Sequence, residues 1–393
     1  VRLFIYLQDF PADGQPPQLG ICKAVHGLAH GFAENGNPVV VLCQGEKTVT
    51  KTLAPGYTVQ CFAGAPPGRL FGTVAPELRD YVWANREDAL YVLNGIFHPG
   101  ACAMSALLRK SKIPYIVAPH DPYHPNIFSK RSLLKWPYWY LRERPMLKGA
   151  LAMQVLDVRH AQWPARLGIK VPVFEATNGY SPIDLLPESE LSWHEDKPPA
   201  AVFMGRIDSH NKGLDILLDA LAELTPDIRP TLTIQGPDWG DKAALRTQAN
   251  LLGLDQSVHF ADADFSVTSS SLIARHDIFC LVSRFEGFGL AALEAMLAGR
   301  VVIVSDIAGI APHVRRSGCG IVITPDVRSV REGLIELLHM RPKWKTMGLA
   351  GREYALEHLR WQNIAADAWK QYQRLMAPRN VTQPVATGLQ QVV

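Results

Sequence analysis

Two glutamates separated by seven residues, Glu286 and Glu294, enclose a glycine turn, Gly287-Phe288-Gly289, within the stretch 277–306 (DIFCLVSRFEGFGLAALEAMLAGRVVIVSD). A glycine turn that opens a helix at Leu290 offers backbone N–H groups to a phosphate, and carboxylates accept from hydroxyls. A pyrophosphate-linked sugar needs both. The same residues allow a second chemistry: Gly287-x-Gly289-x-x-Ala292, with Asp306 ending the next strand, fits the fingerprint of a dinucleotide-binding oxidoreductase. Glu286 stands directly before the turn, where it repels a pyrophosphate but can hold a neutral sugar hydroxyl, which favours the sugar nucleotide. An ordinary strand–turn–helix–strand unit is the plain alternative.

Two cations follow an earlier apolar run in the same half. Met204-Gly205-Arg206-Ile207-Asp208 ends that run, and Lys212-Gly213 comes six residues after Arg206. Arg as a fork and Lys as a point charge can clamp a diphosphate; incidental charges on a solvated loop are the alternative. In the first half, His98 (in Asn94-Gly95-Ile96-Phe97-His98-Pro99) and His120-Asp121 lie just past predicted strands. Polar groups at strand carboxyl ends point into a ligand cleft, where His120 could bond a sugar hydroxyl or a reacting oxygen. Gly20, close to the first helix start, is a further place for phosphate or sugar. His26 with His30, and His120 with His124, share a four-residue spacing, but neither pair has a third ligand at metal-site spacing. No metal and no resident cofactor is expected.

These residues need a scaffold, and the pattern predicts two consecutive α/β series. Strands are expected at 3–7, 39–43, 59–62, 89–93, 115–118, 152–155 and 171–174, then at 200–203, 231–234, 257–260, 278–282, 301–304 and 320–323, alternating with helices. The first domain spans 1–180 and ends at the turn Asn178-Gly179; 181–199 is polar, acidic and Pro-rich, as suits a linker. A second domain spans 200–360, a final helix 361–376, and a tail 377–393. The fold class is α/β, two doubly wound Rossmann-like domains facing an interdomain cleft.

A chain of 393 residues, 47% apolar and 20% charged, has ample sequence for two globular cores. No apolar run reaches the length of a membrane span, and the opening VRLFIYLQDF reads as a strand and not a leader. Six cysteines without a C-x-x-C pair read as buried small residues in a reducing compartment, the cytoplasm by default. The net charge of +3 combines a basic first half with an acidic second half. That suggests an anionic partner, phospholipid headgroups or a pyrophosphate-linked acceptor, and no nucleic acid. Within 129–148 (SKRSLLKWPYWYLRERPMLK), basic residues and aromatics interleave around one acid, Glu143. Such a segment suits peripheral contact with the inner face of a membrane; a helix packing its aromatics on the core is the alternative.

With those residues in place, the chain resembles, over nearly its whole length, the retaining glycosyltransferases of family 4, which have the GT-B fold. Ser283 to Leu290 with Glu294-Ala295-Met296 is similar to that family's E-x7-E signature, and Gly205-Arg206 with Lys212-Gly213 to its donor-phosphate pair. The Asn94-Gly95 loop and Pro119-His120-Asp121 resemble acceptor-side loops of members that build bacterial surface polysaccharides. The resemblance implies that Arg206 and Lys212 neutralise the leaving diphosphate, and that the amides of Gly287, Phe288 and Gly289 hold phosphate and donor-sugar hydroxyls. It further implies Glu286 on the hexose, Glu294 on the ribose, His120 near the reaction centre, and His98 and Asp121 on the acceptor side. The implied enzyme is a metal-independent hexosyltransferase moving a hexose from a UDP-sugar, UDP-glucose first, to a saccharide or lipid-linked acceptor. Trp361 and its helix resemble the family's last helix, which crosses back to the first domain. Asp262-Ala263-Asp264 is similar to the metal-binding D-x-D of another glycosyltransferase architecture, but its place after a strand suits a loop near the base. Departures are Arg300 for a usual Pro, Ala311-Pro312 for Pro-Glu, and one glycine in Gln18-Leu19-Gly20. A GT-B epimerase or phosphorylase, the dinucleotide oxidoreductase, and a non-catalytic binding protein remain as alternatives.

Overall fold

Apolar runs bounded by polar turns become strands buried on both faces, as parallel sheets require. The computed structural model describes residues 1–11, 20–64, 72–129, 131–193 and 197–377. Eight strands form the first sheet: β1 (Arg2–Tyr6), β2 (Val39–Gly45), β3 (Val49–Ala54), β4 (Tyr57–Ala63), β5 (Ala89–Asn94), β6 (Tyr115–Ala118), β7 (Ala152–Val155) and β8 (Val173–Glu175). Their order is β3-β4-β2-β1-β5-β6-β7-β8, parallel except for β3 against β4. Six parallel strands form the second: β9 (Ala200–Met204), β10 (Thr231–Gln235), β11 (Val258–Ala261), β12 (Ile278–Leu281), β13 (Val301–Ser305) and β14 (Gly320–Ile323), in the order β11-β10-β9-β12-β13-β14. Both are doubly wound, and each reverses direction at one switch point, where ligand loops collect. In the first sheet that point lies between β1 and β5; in the second it lies between β9 and β12.

Three expectations shift. Strand β3 was not expected, because it is an edge strand with no buried residue, whose hairpin turns at Pro55-Gly56, with Gly56 at φ 78°. The strand expected at 171–174 starts only at Val173, since Pro172 cannot donate to the ladder. The stretch 181–193 is not a free linker. A capping box joins Ser181 and Asp184, Leu186 is buried with its carbonyl bonded by Arg352, and Trp193 lies under the Arg300 guanidinium at 5.2 Å. Arg300, at the position where the resembled family has Pro, is itself fully buried and holds the carbonyls of Ala298 and His276. The tail beyond 377 lies outside the described residues, as do Gln18 and Leu19.

The helix Trp361–Met376 packs on the helix Gly20–Glu34 of the first sheet's layer. Glycine permits the approach: a Cβ on Gly27 would lie 2.1 Å from the Trp361 indole nitrogen, and one on Gly31 would lie 2.5 Å from its carbonyl oxygen. Where the chain passes between the layers, Tyr180 and Arg360 pair as a parallel bridge, with Tyr180 N–H donating to Leu359 O and Trp361 N–H to Tyr180 O. The last helix is thereby tied to the first sheet and the crossing to the second.

Candidate functional site

At the β9/β12 switch point the Lys212 Nζ donates to Glu286 Oε2 at 2.6 Å, both side chains being mostly buried. Ser283 Oγ donates to the same oxygen at 3.2 Å. Lys212 closes the short helix Ser209–Lys212, capped by the Asp208 carboxylate and ended by Gly213 at φ 63°. A Cβ on Gly213 would lie 2.3 Å from Val282 O, so glycine lets this turn meet the end of β12. Arg284, two residues before Glu286, forks onto Asp215 at 2.8 and 2.6 Å and locks the two loops together. Gly205 leaves β9 at φ 153°, and the Arg206 guanidinium then stacks on the Trp239 ring, 4.3 Å from its centre.

Next in the chain, the glycine turn leads through Gly289 (φ 99°) into the helix Leu290–Leu297, whose first N–H groups have no intrahelical acceptor. The first domain closes over this turn. A Cβ on Gly287 would lie 2.1 Å from the His120 carbonyl oxygen and 3.1 Å from Asp121 Oδ1. His120 has a left-handed backbone (φ 65°), and its Nε2 lies 2.7 Å from Asn94 Oδ1. The Asn94 amide donates to the Tyr6 and Val92 carbonyls, so its oxygen must accept, which places the His120 proton on Nε2 and leaves Nδ1 an acceptor. Burial pushes the imidazole down to about 4, so it is neutral at pH 7. Burial first, and then the Glu286 charge, raises the Asp121 carboxyl to about 6, while Lys212 and Arg206 pull the other way. Arg206, Lys212, Glu286 and Asp121 therefore act on one another in one cleft.

Glu294, a turn into the same helix, is buried and bonded to the Nζ of Lys23, which also pairs with Asp184 at 3.3 Å. Burial works against the Lys23 charge, but the two carboxylates outweigh it and raise its pKa. Sequence reasoning missed Lys23. The available signal was a cation in the first turn of the helix Gly20–Glu34, where the helix dipole disfavours it. Gly20 faces Leu290 across the cleft: a Cβ on it would lie 3.8 Å from Leu290 Cδ1. Phe288 is buried and its carbonyl accepts from Ile310 N–H, so it supports the turn from behind. Arg159 and His160, also missed, fix the domains to each other by donating to the carbonyls of Asp306, Ala308 and Ile307.

His98 sits apart from this group, at the first sheet's switch point. Its Nε2 pairs with Asp9 Oδ2 at 3.2 Å, and its buried Nδ1 has no hydrogen-bond partner. No group of three or more His, Cys, Asp or Glu side chains suited to a metal gathers among the described residues. Asp262 pairs with Lys242 at 2.7 Å, and Asp264 accepts from Ser266; His26 meets Tyr57, and His124 packs edge-on against Trp163. All six cysteines are free and buried.

Residues 189–354, which carry most of this geometry, match the family described as Glycosyl transferases group 1. A D-inositol 3-phosphate glycosyltransferase from Jonesia denitrificans is 30% identical over 187 residues, covering 46% of this chain and 44% of that protein. A GDP-mannose:cellobiosyl-diphosphopolyprenol alpha-mannosyltransferase from Xanthomonas campestris is 36% identical over 120 residues, 30% of this chain and 32% of that protein. The chain thus spans less than half the length of either relative. The solved structure of Alr3699/HepE from Anabaena in complex with UDP and glucose superposes with a TM-score of 0.71 at 18% identity, covering 95% of this chain and 99% of that one. The fold is GT-B, and the glycosyltransferase group 1 match lies on residues 189–354.

Proposed function

We propose that the chain is a retaining hexosyltransferase of the family 4 type, which works without a metal and moves a hexose from a UDP-sugar, UDP-glucose first, to a saccharide or lipid-linked acceptor in polysaccharide assembly. The observation that carries this reading is the convergence of Lys212 and Arg206 with Glu286 beside a helix-opening glycine turn. Donors and cations aimed at a leaving diphosphate stabilise the charge that develops there. Arg206, held flat by Trp239, and Lys212 neutralise the diphosphate, and the Gly287, Phe288 and Gly289 amides complete the cradle. Lys212 occupies only one oxygen of Glu286, which leaves the other for a hexose hydroxyl; Glu294 does the same for the ribose.

The bond from the anomeric carbon to the phosphate oxygen breaks as the acceptor oxygen bonds to that carbon on the same face. The acceptor proton passes to the departing phosphate oxygen. Neutral His120 offers Nδ1 as an acceptor to a donor-sugar hydroxyl, and its carbonyl fixes the height of the cleft over Gly287. Asp121 accepts from a neighbouring hydroxyl of the acceptor, and His98, with Asp9, holds a more distant part of it. UDP in the Anabaena structure supports a uridine donor; GDP-mannose, in the name of the Xanthomonas relative, is the second donor to try. Thermal denaturation across UDP, GDP, NAD and their sugars tests the reading. UDP or a UDP-sugar should raise the melting temperature, and Glu286→Ala should abolish transfer while the protein stays folded. Stabilisation by NAD and by neither UDP nor GDP would overturn it in favour of an oxidoreductase.

A further inference from the structure

Between Arg131 and Lys148 the first domain carries a broken helix: Ser132–Tyr138, a π-turn at Trp139–Glu143, and Arg144–Lys148. Its two sides differ sharply. Trp139, Glu143, Met146 and Leu147 are buried, whereas Leu133 is 90% exposed, Leu134 62%, Tyr140 60% and Leu141 71%. Leu133 and Leu134 return as Tyr140 and Leu141 seven residues later, two helical turns on, and so share one outward stripe. A soluble surface scatters single apolar side chains; a continuous stripe of four calls for a partner.

Charge says which partner. Arg131, Arg144 and Lys148 flank the stripe, and Lys148 and Arg131 are exposed. The one acid of the segment is withdrawn from it: the Glu143 carboxylate is fully buried, accepting from Phe97 N–H at 2.9 Å, the Tyr123 hydroxyl at 2.8 Å and the Cys102 thiol at 3.3 Å. Aromatic rings brace the outer face, Phe128 stacked on Trp136 at 4.4 Å and Trp136 on Tyr140 at 6.2 Å. Leucines flanked by Trp, Tyr and cations, with no surface acid, are the make-up of an element that lies in a lipid interface. No helix among the described residues is long and apolar enough to cross a membrane.

We infer that the face formed by Leu133, Leu134, Trp136, Tyr140 and Leu141, with its flanking cations, docks the chain on an anionic bilayer. Leucines enter the headgroup–acyl boundary while Arg131, Arg144 and Lys148 meet lipid phosphates. The same π-turn reaches inward to the loop that carries His98, because Glu143 fixes the Phe97 amide. If the proposed acceptor role of His98 holds, docking sets that loop at the lipid surface and selects acceptors anchored there. The docking itself does not depend on that role.

Sedimentation of the full chain with vesicles tests it without measuring transfer. Vesicles of phosphatidylglycerol mixed with phosphatidylcholine should bind the chain about tenfold or more tightly than phosphatidylcholine alone, and the difference should shrink in high salt. Leu133→Asp with Leu141→Asp should lower binding about a hundredfold. Both side chains are exposed, so near-ultraviolet circular dichroism and the melting temperature should not change. Lys148→Glu should weaken binding to the mixed vesicles and leave binding to the neutral ones unchanged. Failure to bind mixed vesicles, or equal binding by the double variant, overturns the inference. So does a dimer in solution that the double variant converts to monomer, since the stripe would then cover a second copy.

Discussion

Gly287→Ala tests whether the contact between the domains sets the reacting geometry. Gly287 has no left-handed φ to satisfy, so the added methyl group brings no backbone strain of its own. It does bring a collision. Its Cβ would stand 2.1 Å from the His120 carbonyl oxygen, a backbone atom that cannot swing aside. A comfortable carbon–oxygen contact is about 3.3 Å, so the first domain must retreat by roughly 1 Å. A displacement of about 1 Å at a reacting centre costs on the order of a hundredfold in rate. The diphosphate-facing groups of the proposed cradle, Arg206, Lys212 and the turn amides, lie within the second domain, so nucleotide binding should survive.

Release of nucleoside diphosphate during transfer, together with thermal shift by UDP, separates the two effects. The expected result is a kcat about a hundredfold lower, with the thermal shift by UDP close to that of the wild type. A kcat within about threefold of wild type would refute the reasoning, because a change of that size is about 0.7 kcal/mol and a 1 Å retreat should exceed it. Loss of the UDP shift along with the rate would show that the methyl group disturbs the cradle itself and not only the domain contact.

Lys212→Met removes the cation from a mostly buried pair and should lower stability by about 3 kcal/mol; adding Glu286→Gln should restore part of it, which urea denaturation of the single and double variants would read out. Asp121→Asn should change the pH profile of stability. Wild-type Asp121, raised to about 6, loses its contribution as pH rises through that value, whereas His120, lowered to about 4, loses its own as pH falls toward 4. The two slopes oppose each other between pH 4 and 6, so the variant, which loses only the Asp121 slope, should gain about 3 kcal/mol relative to the wild type across that range; parallel melting-temperature profiles would refute the assignment. Trp361→Ala empties the seat over Gly27 and should cost about 3–5 kcal/mol, measured by urea denaturation; a loss below about 1 kcal/mol would show that the last helix does not depend on its indole.

Much of the scaffold was legible because buried parallel strands leave continuous apolar runs such as Ile278–Leu281 and Ala89–Asn94. The candidate site was legible where its chemistry is local in sequence: a glycine turn between two glutamates, and Arg206 and Lys212 around a short helix. What stayed hidden is what the chain assembles from distant parts. Lys23 lies 271 positions from the glutamate it bonds, and nothing in its own helix points there. The Trp239 ring under Arg206 and the Glu143 carboxylate under Phe97 are likewise set by loop packing, to which hydrophobic period is blind. The hairpin of β3 was missed for the opposite reason: none of its residues is buried, so burial left no period to read.

The two glutamates are carboxylates suited to hydroxyls, yet each is paired with a lysine, Lys212 on Glu286 and Lys23 on Glu294. A carboxylate has two oxygens, and the lysine in each pair takes one, Oε2 of Glu286 and Oε1 of Glu294. The other oxygen can only accept, so a hydroxyl that binds there must donate, and its own oxygen is left to face outward. The pairs differ in where the lysine comes from. Lys212 stands on the same sheet as Glu286, so that pair is set before the domains meet. Lys23 comes from the first domain, so the Glu294 pair forms only when the cleft is closed. The proposed hexose end of the donor site is therefore built into one domain, while the proposed ribose end is completed by both.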